Sequence, residues 1–180
     1  MSLTETYGSQ PAMTQEITQV EALTEEQRAK LFDWGENIFG VQDNELTWRH
    51  KDLHFLLTVN GELVSHVGVL KHEVTVDGQP ILVGGLGGVV TIPEAQKRGF
   101  ARVLMRHVAE FFGQWPVEAG LLFCLPRRVP LYQSLGWQVV SAPVVIQQPG
   151  GDRESPLEVM VLPLGKPWPA GKVELNSLPW

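Results

Sequence analysis

Leu53, Phe55, Leu57 and Val59 alternate with His54, Leu56 and Thr58, and that two-residue period predicts a strand. Asn60-Gly61 follows it and is the strongest short hairpin signal in the chain. A returning strand is therefore expected from Leu63 to about Val76. Asp77-Gly78 marks a second tight turn, and a third strand begins at Ile81. That strand ends in Val89-Val90-Thr91-Ile92, all β-branched, and Pro93 stops it by removing a donor and disfavouring helical angles at Ile92. From Gly99 the period changes. Phe100, Val103, Leu104, Val108, Phe111 and Phe112 fall on one face at helical spacing.

Beyond this helix, Gly113 and Pro116 break the pattern, and Ala119 to Leu125 is a short, continuously apolar strand of the buried kind. Pro126 opens another helix, with Val129, Tyr132 and Leu135 facing inward and Gly136 as its stop. Trp137 to Ile146 is extended, a Pro/Gly-rich turn follows, and Leu157 to Leu164 returns as a strand. Upstream, Thr24-Glu25-Glu26-Gln27 has the form of a capping box. It should start a helix that carries Leu31, Trp34 and Ile38, is weakened by Gly35 and ends at Gly40. Asp43 to Lys51 allows a short second helix. The order α(α)βββαβαββ predicts an α+β (mixed α/β) fold, a central, mostly antiparallel sheet with helices on both faces. Residues 1–15 read as a flexible lead-in, 16–165 as one domain, and 166–180 as an extended tail. Proline forbids a regular helix in that tail, yet Trp168, Leu175, Leu178 and Trp180 are costly to leave in water, so it should dock on the domain.

Composition narrows the function classes. A chain of 180 residues, 43% hydrophobic, is long enough for one cored domain. A net charge of -6 argues against nucleic-acid binding. No apolar run is long enough to cross a bilayer and no signal-peptide core opens the chain, so neither membrane nor secretion is expected and the cytoplasm is the simplest compartment. The single cysteine, Cys124, excludes an internal disulfide and is too little for a thiolate zinc site; no metal is expected.

The chemistry lies between strand and helix. Gln96-Lys97-Arg98-Gly99-Phe100-Ala101 delivers free N–H groups at a helix N-terminus beside two cations, which suits a phosphate or pyrophosphate. Gly99 and Ala101 leave room for close approach. The mononucleotide motif G-x-x-x-x-G-K-[ST] is absent, and the Gly84–Gly88 cluster precedes a β-branched run instead of opening a helix.

Gln96-x-x-Gly99-x-Ala101, after a V-V-T-I-P strand end, resembles the acyl-CoA pyrophosphate loop of the GNAT N-acetyltransferase superfamily. Leu131-Tyr132 with Gly136-Trp137 resembles that family's second signature. The resemblance implies acetyl-CoA as co-substrate, held by Gln96, Lys97, Arg98, Gly99, Phe100 and Ala101. It also implies the strand edge Val89, Val90 and Thr91 as partner of the pantetheine arm, and Tyr132 as the acid that meets the departing thiolate. A phenol keeps its proton at neutral pH and can give it to a thiolate in a dry site. The implied substrate is a small-molecule amine, with another amine, a peptide N-terminus, or acyl-CoA binding without catalysis as alternatives, and a homodimer is left open.

From about Phe39 to Trp180 the chain is most similar to the aminoglycoside 2'-N-acetyltransferases. The similarity rests on Trp48, the Asn60-Gly61 region with Ser65-His66-Val67, the loop, the Tyr132 segment and a final Trp. It implies Trp180, through its terminal carboxylate, and Asp43, with Glu45 second, as substrate ligands. Two positions depart from that pattern: Gly87 stands where the family carries a catalytic Glu, and Gln42 stands where its principal acidic substrate ligand falls. For a general base the strands offer His66, His72 and Glu73. Cys124, in an apolar strand, reads as an inert buried thiol.

Overall fold

The structure, a computed structural model, describes residues 11–180. Residues 1–10 of the expected lead-in lie outside the described residues, and its last residue, Gln15, already begins a strand, β1 (Gln15–Val20). The sequence does not announce β1. It is an exposed edge strand in which only Ile17 and Val20 are partly buried, so no apolar alternation marks it. The first helix, α1 (Glu25–Phe32), starts with the expected capping box: Gln27 N–H donates to Thr24 Oγ1 at 3.1 Å, and Thr24 N–H donates to Gln27 Oε1 at 3.0 Å. It stops short of Trp34 and Ile38. The Trp34 indole turns back and donates to the Leu31 carbonyl at 2.7 Å, satisfying a terminal acceptor that a further turn would have used. Asp43 to Lys51 holds no α-helix either; a 3-10 turn over Gln42–Asn44 ends at Glu45, whose φ is 50°.

Three strands form an antiparallel meander: β2 (Leu53–Val59), β3 (Glu62–Val76) and β4 (Gln79–Thr91). Both turns carry left-handed pairs, Asn60 and Gly61 at φ 50° and 80°, Asp77 and Gly78 at φ 46° and 79°. Such turns match the twist of the strands they join. The amphipathic helix α2 (Phe100–Gln114) buries Phe100, Leu104, Met105, Val108 and Phe112 and returns the chain to β5 (Ala119–Cys124), parallel to β4. Then follow α3 (Val129–Gln133), β6 (Gln138–Val139), β7 (Val144–Ile146), β8 (Arg153–Glu154), β9 (Glu158–Pro163) and β10 (Val173–Glu174). The sheet has ten strands in the order β6-β9-β5-β4-β3-β10-β7-β8, with β2 also on β3 and β1 on β2. All pairings are antiparallel except β4–β5 and β7–β10.

One core cluster joins α1, α2, Tyr132 and Trp137 to the sheet. The other is built from strands and the tail, around Leu70, Val83, Leu121, Ile146, Val161 and Trp180. The tail enters the sheet instead of lying along its surface: β10 fits between β3 and β7, and Val173 and Leu175 are fully buried. At its end the Trp180 indole donates to the Leu121 carbonyl at 3.1 Å and packs edge-on against His72 and Phe123. Room for that indole comes from Gly85, where any Cβ would overlap it.

Candidate active site

Two neighbouring strands part company here. β4 and β5 pair in parallel from Val83–Ala119 to Leu86–Leu122, yet β4 runs on to Thr91 and β5 to Cys124. The β5-facing amides and carbonyls of Gly87 to Thr91 are thus left without a strand partner, an opening that an extended amide-bearing chain can fill. What bends β4 away is a bulge. The register with β3 jumps from His66↔Val90 to Gly68↔Gly87, so Val67 faces two residues, and Gly88 takes φ 62°. His66 Nδ1 lies 2.7 Å from the Gly88 carbonyl and holds the bulge in place.

The divergence opens a cleft of about 690 Å³. At one end lies the Gln96–Ala101 loop. Gln96 Nε2 donates to the Thr91 carbonyl at 3.1 Å, tying the loop to the strand end. Lys97 and Gly99 both have positive φ, 61° and 83°, and no side chain caps α2, so its first amides are free. Nothing lies within 4 Å of where a Gly99 Cβ would sit. An uncapped N-terminus open on its outer side has the right form for a pyrophosphate. Of the loop cations, Lys97 lines the cleft and Arg98 does not; the Arg98 guanidinium stacks over Phe100 at 5.0 Å instead. Arg102 and Arg128 line the cleft in its place, Arg102 held by a 2.8 Å hydrogen bond to Ser134 Oγ. The loop motif did not reveal them, because Arg102 follows it by one residue and Arg128 comes from a 3-10 turn across the cleft.

Tyr132 projects from α3 into the cleft wall, edge-on to Trp137. Its hydroxyl makes no hydrogen bond to another described residue, and burial pushes its pKa up to about 12, so it keeps its proton. Cys124 lines the same wall, and burial raises its thiol to about 11, which leaves it uncharged.

The base candidates fare differently. His66 is buried with both ring nitrogens engaged: Nδ1–H donates to Gly88, so Nε2 accepts from His54 Nδ1 at 2.8 Å. Desolvation lowers its pKa to about 4. His72 is likewise tied on both sides, to Arg49 and to the Leu175 carbonyl, and neither it nor exposed Glu73 lines the cleft. Asp43 and Glu45 are exposed and lie outside the cleft. Trp180 does reach it, backbone first, with its carbonyl carbon and oxygen 3.0 Å from where a Gly87 Cβ would be. Beside it lies a side chain that sequence reasoning missed, Lys51.

The profile of the acetyltransferase (GNAT) domain family matches residues 18–140. The chain belongs to that family: it is a GNAT N-acetyltransferase with acetyl-CoA as its co-substrate. Solved structures share the fold at low identity. The Escherichia coli GNAT protein YhbS, in complex with CoA, aligns at TM-score 0.58 and 17% identity over 94% of this chain and 93% of that one. The ribosomal-protein-S18-alanine N-acetyltransferase of Escherichia coli aligns at TM-score 0.53 and 20% identity, over 86% and 97%. A Brucella melitensis GNAT acetyltransferase in complex with acetyl-CoA aligns at TM-score 0.53 and 15%, over 89% and 94%. Curated protein sequences give no match.

Proposed function

We propose that this acetyltransferase modifies a primary amine of a small molecule whose body is apolar or aromatic. The observation that carries this reading is the composition of the cleft. Trp34, Phe39, Trp48 and Phe123 line it, Trp34 and Phe39 being unusually exposed for their size, and no aspartate or glutamate does. Its charged side chains are Lys51, Lys97, Arg102 and Arg128, all cationic. Such a lining suits a polyanionic CoA moiety at one end and an apolar amine at the other. It suits a polycationic aminoglycoside poorly, since of the carboxylates that the resemblance offers for its amines only the Trp180 terminus reaches the cleft, while Asp43 and Glu45 stand outside.

In this reading the amides of Gln96 to Ala101 take the pyrophosphate, with Lys97, Arg102 and Arg128 around it; Arg98, stacked on Phe100, adds only distant charge. The free edge of Gly87 to Thr91 pairs with the pantetheine arm and turns an amide toward the thioester oxygen. When bound, acetyl-CoA supplies the activated acetyl group. Tyr132 gives its proton to the sulfur that leaves. Trp180 floors the acceptor end, its indole locked below and its backbone facing the amine.

The test is thiol release from acetyl-CoA with arylalkylamines, aliphatic amines, aminoglycosides and a peptide N-terminus as acceptors. Arylalkylamines should give the highest kcat/KM. Preferential turnover of aminoglycosides would overturn the substrate reading.

A further inference from the structure

Gly68 on β3 and Gly87 on β4 are cross-strand partners. Together they leave a trough without side chains, and the stem of Lys51 fills it. A Cβ on Gly68 would overlap Lys51 Cγ, and one on Gly87 would come within 2.8 Å of Lys51 Cε. The backbone around Lys51 is pinned on both sides: Arg49 N–H donates to the Pro179 carbonyl at 2.7 Å, and Asp52 N–H donates to the Val69 carbonyl at 2.9 Å. The side chain is thus carried by a fixed segment into the cleft. Lys51 also borders a second cavity of about 460 Å³, lined by Arg28, His54 and His66 among others. Phe39, Trp48, Lys51 and Gly88 belong to the walls of both cavities.

We propose that the ε-amino group of Lys51 accepts the proton that the substrate amine gives up as it attacks the thioester. The amine nitrogen forms the new bond to the carbonyl carbon, the C–S bond breaks, and the sulfur takes its proton from Tyr132, whose phenolate then regains a proton from solvent. The proton of the amine passes to Lys51, which becomes an ammonium and releases it to solvent through the second cavity. The inference rests on the N-acetyltransferase reading above and assigns its missing base.

A lysine serves as a base only if it is neutral near the working pH. Burial lowers Lys51 to about 8. The terminal carboxylate of Trp180 is the acidic group nearest to it, both lying beside Gly87, but it makes no ion pair with Lys51: among the described residues the ion pairs are Lys30–Glu62 and Lys172–Glu174. The groups facing it are Arg28 from α1, His54 from β2 and His66 from β3, with Arg49, His50 and Asp52 on its own segment and Glu21 across the second cavity. Both histidines are themselves lowered by burial and stay neutral at neutral pH. They take no proton from the reaction, and His66 fixes the bulge beside the lysine.

Two variants of the full chain test this. Lys51→Met keeps the stem in the trough and removes the amine; Lys51→Arg keeps a cation that does not deprotonate. With an arylamine acceptor that is neutral throughout the range, wild-type kcat/KM should rise with pH to a plateau, with its midpoint near 8. Both variants should lose that limb and fall about 10²- to 10⁴-fold at the plateau. Independently of turnover, Lys51 should be labelled by acetic anhydride, mapped by mass spectrometry, with an inflection near pH 8. A limb that persists in Lys51→Met overturns the inference. So does full activity of an enzyme whose Lys51 has become stoichiometrically acetylated. If the wild type turns over no amine, the proposed function fails, and labelling decides separately: an inflection at the ordinary lysine value overturns the role of Lys51.

Discussion

Replacing Tyr132 by Phe removes one oxygen and nothing else. The ring stays in its buried site against Trp137, and no described partner loses a hydrogen bond, because the hydroxyl has none. Folding stability should therefore change by no more than about 0.5 kcal/mol, the range of a substitution that breaks no contact. The chemistry should change far more. With its pKa pushed up to about 12, the phenol is fully protonated at neutral pH and faces the cleft in which the sulfur is proposed to depart. Loss of a positioned general acid typically costs about 10²–10⁴ in rate, roughly 3–5 kcal/mol of barrier. The assay is single-turnover acetyl transfer at saturating acetyl-CoA and amine, paired with calorimetric binding of CoA and a thermal melt. The expected pattern is a collapsed rate with near-native melting and CoA affinity. An unchanged single-turnover rate would refute the acid role. A large drop in melting temperature would show that the hydroxyl has a structural partner.

Other perturbations reach different parts of the argument. Gly99→Glu adds a carboxylate where the pyrophosphate is proposed to bind, and its Cβ meets no atom within 4 Å, so CoA affinity should fall at least about tenfold while the fold survives. Gly99→Ala, which keeps the backbone strain of φ 83° without the charge, is its control, and equal losses in both would point to the backbone alone. Gly85→Ala should destabilise by about 1–3 kcal/mol in urea unfolding, since its methyl meets the Trp180 indole and lies 2.8 Å from Leu70 Cδ1; a neutral result would mean that the tail is not seated there. Stability should also fall in acid. His66 is held near 4 while its unfolded value is 6.5, so below pH 6.5 the unfolded chain binds the proton that the native state refuses. The urea midpoint should decline from pH 6.5 toward pH 4, and a His66→Gln variant should decline less steeply.

The sequence by itself determined the parts whose physics is local. Alternation fixed β2, β-branching and Pro93 fixed the end of β4, and the turn pairs Asn60-Gly61 and Asp77-Gly78 fixed the hairpins, because each rests on dihedral preference or on side chains a few residues apart. The same holds for the α2 period and for the loop before it, whose uncapped amides follow from Gly99 and a helix start. Tertiary structure decided everything that depends on distance in the chain. β1 is polar at its own level and becomes a strand only because β2 offers it an edge. α1 ends where the Trp34 indole finds a carbonyl, and β10 forms only because β3 and β7 leave a gap for it. The site divides in the same way. Gln96 to Ala101 and Tyr132 are legible in short motifs, whereas Asp43 and Glu45 share a segment with the cleft wall and yet stay outside it. Lys51 carries no motif at all. What brings it to the cleft is the pairing of two glycines on adjacent strands with a lysine that precedes both in the chain, and only a folded sheet makes them neighbours.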